Sequence, residues 1–121
     1  MLSDDQKAAR LQKALIYGGD THSINDVAEM VKDGRARLFE NEDAVIISEI
    51  VSFPRLKTVN FWLLAGELKQ VLALEDQVLD WGRGEGATVA TACGRPGWGR
   101  VAYATGWRSW WPTFHKQLGG D

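Results

Sequence analysis

The chain has 121 residues, 45% of them apolar and 25% charged, which fits one globular domain large enough to bury a core without disulfide or metal staples. A net charge of −2 argues against a general nucleic-acid binder. A single cysteine, Cys93, excludes an internal disulfide and a cysteine-cluster metal site.

The start, Met1 to Asp5, is acidic and polar, so a secretory leader is not expected. Ser3 with Gln6 three residues on is a capping-box pattern. Ala8, Leu11 and Leu15 then recur at helical spacing, and Gly18-Gly19 supply a stop, predicting a helix over Asp4–Tyr17. Residues 20–23 read as a turn, with His22 a turn residue. Ser23 caps a second helix that presents Ile24, Val27, Met30 and Val31 on one face and ends at Gly34.

Period two then takes over. Arg37–Glu40 reads as a short strand, residues 41–43 as a hairpin turn, and Ala44–Ile50 as a β-branched return strand. Pro54 breaks the pattern because it cannot donate to a ladder. Lys57–Leu64 is a third strand, apolar on both faces at its end and so expected to be central. Residues 65–67 turn tightly into the longest helix, whose stripe is Leu68, Val71, Leu72, Val78 and Leu79, widened by Leu74 and Trp81. Gly82, Gly84 and Gly86 are expected to end it. Ala87–Cys93 reads as a small, apolar strand buried between layers, with Cys93 a structural thiol in it. Residues 94–97 form a turn, residues 98–105 a short helix stopped by Gly106, and Trp107–Leu118 an aromatic tail of strand character broken by Pro112. No stretch approaches the roughly 20 apolar residues of a membrane span. The order α-α-β-β-β-α-β-α-β describes an α+β fold: a mixed, mostly antiparallel sheet with helices on both faces, all in one domain over residues 1–121.

Charge and tryptophan are unevenly spread. Residues 1–93 carry net −5 and residues 94–121 net +3, a local bias toward an anionic ligand or partner. Four of the six tryptophans, Trp98, Trp107, Trp110 and Trp111, fall within fourteen residues. Either they close the core late in the chain or some of them meet a partner. Trp110 and Trp111 are adjacent, so on a strand they face opposite ways. His22 and His115 lie far apart without an acidic ligand pattern, so no metal site is expected.

The element order resembles that of the GNAT N-acetyltransferases without their first strand. The local anchor is Arg95 to Trp107, which is similar to the family's last helix running into a Gly-aromatic pair, here Gly106-Trp107, with Val101 at its apolar position. The chain also resembles small acyltransferase-like proteins of tailed phages and prophages in Phe53-Pro54, in the long helix from Leu68 to Trp81, and in Gly94 to Val101. That resemblance implies a phage setting: the host cytoplasm, with the virion as the further location.

The resemblance also implies acetyl-CoA as cofactor if the chain is an enzyme, its pyrophosphate held on a Gly-rich loop at a helix N-terminus. Where the family has a basic residue and two small residues, this chain has Leu64 to Leu68, with Gly66 as the one glycine and Glu67 as a carboxylate. The family's acidic Tyr falls at Ala102, and Tyr103 is one position, about 100°, further around the helix. Two functions follow. One is a non-catalytic, virion- or assembly-associated protein that binds phage structural proteins or itself through Trp98, Trp107, Trp110 and Trp111. The other is an acyl-CoA-dependent N-acetyltransferase in which Gly66, Arg95 and Arg100 hold the cofactor and Glu49 and Tyr103 move protons. Neither calls for a nucleic acid or a membrane as partner.

Overall fold

The computed structural model describes residues 1–93, 99–108 and 116–119. Its elements are α1 (Asp4–Tyr17), α2 (Ile24–Lys32), β1 (Arg37–Glu40), β2 (Ala44–Ser52), β3 (Lys57–Gly66), α3 (Leu68–Gly84), β4 (Val89–Ala92) and α4 (Gly99–Ala104). The expected last strand falls mostly on residues 109–115, outside the described residues; Trp107, Arg108 and residues 116–119 are not in a strand.

Both early helices start where their caps predict. Ser3 Oγ accepts from Gln6 N at 3.1 Å while Gln6 Oε1 accepts from Ser3 N at 2.8 Å. Ser23 and Asp26 repeat the reciprocal pair at 3.1 and 2.8 Å. The sheet order is β1-β2-β3-β4. β1, β2 and β3 are antiparallel neighbours, and β4 lies parallel to β3 after the α3 crossover. The sheet is therefore mixed and mostly antiparallel, with helices on both faces.

Two cores share it. Ala44, Ile46, Val59 and Phe61 point to Val71, Leu74 and Val78 of α3. Val45, Ile47, Leu63 and Ala65 point to Leu11 and Leu15 of α1 and Val27 of α2. β2 is thus buried on both faces, which is why its apolar run is continuous rather than alternating. Between Ile47 and Ser48 the register against β3 slips, from Ile47↔Leu63 to Ser48↔Phe61, leaving Trp62 as the extra residue of a β-bulge. Trp62 and Leu63 consequently lie on the same face, toward α1 and α2.

Several expectations change. β2 and β3 each run two residues further than their sequence patterns predict. α3 passes through Gly82 and ends at Gly84, because Gly82 is a packing position: a Cβ there would sit 2.7 Å from Val59 Cβ. Gly86, at φ +92°, makes the turn that follows. β4 is shorter than residues 87–93 and only half-buried, and Cys93 beyond it is exposed. The reason is position: among the described residues β4 is at the end of the sheet, paired with β3 over four residues. Ala87, the buried member of that stretch, belongs to the α3 core without being in the strand. Among the described residues no helix is long and apolar enough to cross a membrane.

Candidate functional site

The sheet opens at the bulge. β4 pairs with β3 from Thr58 to Phe61 and stops. From Leu63 to Gly66, β3 stays paired with β2, and no described residue pairs its other edge. The result is a fork between two parallel strands, with Trp62 as the first residue past its base.

On the α1–α2 face, a polar chain crosses the base of the fork. Thr91 Oγ1 on β4 donates to Asn60 Oδ1 on β3 at 3.0 Å, and Asn60 Nδ2 donates to Glu49 Oε1 on β2 at 3.2 Å. All three side chains are half-buried. Two residues along β3, Trp62 meets the His22 ring edge-on, with centroids 4.8 Å apart and planes at 71°. His22 Nδ1 in turn lies 2.7 Å from Thr21 Oγ1. The α1–α2 turn therefore brings an imidazole, the bulge an indole, and the strand register a clamped carboxylate to one side of the fork. Glu49 keeps an oxygen beyond the one Asn60 engages, so this group can accept a proton or hold a cation.

Of the residues singled out in the sequence, Glu49 is the one at this site. Tyr103 lies on α4, 49% exposed, and its carbonyl accepts from Arg108 Nη1 at 3.1 Å. Trp107 turns inward. Its Nε1–H donates to Glu75 Oε1 of α3 at 2.6 Å, and its ring meets Phe61 edge-on at 5.3 Å. It closes the α3-side core where the fork begins. Arg95, Trp98, Trp110, Trp111 and His115 lie outside the described residues, as does the side chain of Arg100, whose backbone is in α4. Among the described residues no group of three or more His, Cys, Asp or Glu stands close enough to hold a metal ion.

Asn60, Trp62, Thr91 and His22 were not singled out for this site in the sequence. Two signals could have found part of it: a polar Asn60 inside an apolar central strand, and the run Phe61 to Leu64, which breaks period two as a bulge does; neither marks Thr91 or His22.

At the far end of the fork, β3 passes into α3 through Glu67 alone. Gly66 is left-handed at φ +119°, and a Cβ on it would overlap the Asp43 carbonyl oxygen and lie 2.7 Å from Ala44 Cα. Its freedom is used to bring the β1–β2 hairpin against the junction. Asn41 fastens that contact: its Nδ2 donates to Gln70 O in the first turn of α3 at 3.0 Å, and its Oδ1 accepts from Asp43 N at 3.0 Å. The hairpin is acidic. Asp43 pairs with the Met1 amine at 3.0 Å, and Glu40 with Lys7 at 3.5 Å. Glu67 is exposed at the helix start and makes no side-chain cap.

No protein-family model matches the chain, and no curated protein does. Solved structures do. A Trypanosoma brucei acetyltransferase superposes with a TM-score of 0.65 at 10% identity, over 98% of this chain and 97% of that one. A GNAT family acetyltransferase of Staphylococcus aureus gives 0.58 at 14% identity over 97% and 95%. A ribosomal-protein-alanine N-acetyltransferase of Brucella melitensis gives 0.59 at 13% over 93% and 94%. This chain has the GNAT acetyltransferase fold.

At these identities the likeness is one of fold alone, so the acetyl-CoA the fold implies has to be tested against the residues present. A pyrophosphate is held by successive backbone amides in a loop leading into a helix N-terminus. Here the loop is reduced to one residue. Gly66 is committed to the hairpin, and Glu67 sets a negative charge where the helix dipole would favour the phosphate. Lys69 is the one cation of that first turn. The junction does not fit a nucleotide pyrophosphate.

Proposed function

We propose that this GNAT-fold chain has given up coenzyme A and acts by contact with other protein chains, as a non-catalytic component of a phage particle or of its assembly. The observation that carries the reading is the one-residue junction between β3 and α3, buttressed by the hairpin and headed by Glu67. The phage setting, with the host cytoplasm or the virion as location, rests on the resemblance in Phe53-Pro54, Leu68 to Trp81 and Gly94 to Val101. Trp98, Trp110 and Trp111 remain the proposed partner contacts; Trp107 is engaged by Glu75 and Phe61.

Calorimetric titration of the full chain with acetyl-CoA tests this. The expected result is no saturable heat up to about 1 mM ligand, which bounds any binding at about 4 kcal/mol. A saturable isotherm below that concentration would overturn the reading.

A second reading is kept because one observation favours it. The bulge at Trp62 and the half-buried chain Glu49–Asn60–Thr91 are a place where an amine could be held and deprotonated. On that reading the chain is an N-acyltransferase with Glu49 as base. Arg95 and Arg100 would then hold the donor in place of the absent loop, with Tyr103 as the acid.

A further inference from the structure

We draw no further inference here: the strongest candidate, the outer edge of β1, where Leu38 is 40% exposed and the Arg37 guanidinium lies over the Phe39 and Trp81 rings, is an edge that no described strand pairs, and nothing in the structure shows what covers it.

Discussion

Gly82→Ala puts the packing of α3 on β3 under direct test. In most exposed helix positions this change adds about 1 kcal/mol of stability, because alanine is the better helix former. Here the new methyl would lie 2.7, 2.8 and 3.2 Å from the three side-chain carbons of Val59. Carbon pairs are at their optimum at about 3.5–4.0 Å. Gly82 is buried and Val59 is 3% exposed, so neither can swing outward. Overpacking of this kind costs about 1–3 kcal/mol. Set against the gain in propensity, the net expectation is a loss of up to about 2 kcal/mol, or a Tm lower by up to about 10 °C for a domain of this length. Urea and thermal unfolding followed by circular dichroism would read it. Val59→Ala removes the two Cγ methyls and keeps Cβ at 2.7 Å, so in that background Gly82→Ala should cost less than in the parent without becoming free of cost. A parent protein stabilised by Gly82→Ala, or a double-mutant cycle without coupling, would refute the close approach of helix and strand.

Gly66→Ala should destabilise by more than about 2 kcal/mol in urea unfolding, since it combines a left-handed backbone with overlap on the hairpin. Ser48 Oγ is fully buried with no partner among the described residues. Ser48→Ala should therefore be neutral or raise stability by about 1 kcal/mol in the same assay. The Ser23 backbone N–H, and then its side chain, hold the Asp26 carboxyl below its ordinary value of 3.8. The sign follows: this contribution is present above about pH 4 and is lost as pH falls through the lowered value. Unfolding measured from pH 5 to 2 should show a shallower loss for Asp26→Asn than for the parent.

What was legible in the sequence was local. The Ser3–Gln6 capping box and the Ser23 cap placed two helix starts, because capping is settled within four residues. Arg37–Glu40 and the turn after it were read correctly because alternation and turn chemistry agree. What was misread depended on distant partners. Gly82 carries the same signature as a helix stop, and only Val59, 23 positions earlier, explains it. The strand after α3 looks buried by composition, yet its exposure is set by where it falls in the sheet order. Glu49 stood out alone, but Asn60 and Thr91 join it only through a register that includes the bulge at Trp62. The tight junction from β3 into α3 was readable from Leu64 to Leu68; that the hairpin packs on Gly66 was not, because Asp43 and Ala44 lie more than twenty residues away.

The most direct test of the central claim is the response of the Gly66 to Gln70 backbone amides to coenzyme A, followed by NMR on the full chain. The account predicts that these five amides do not shift at about 1 mM coenzyme, because the strand meets the helix across a single residue under a carboxylate. Saturable shifts centred on Leu68 and Lys69 would contradict it and return the chain to the coenzyme-dependent transferases.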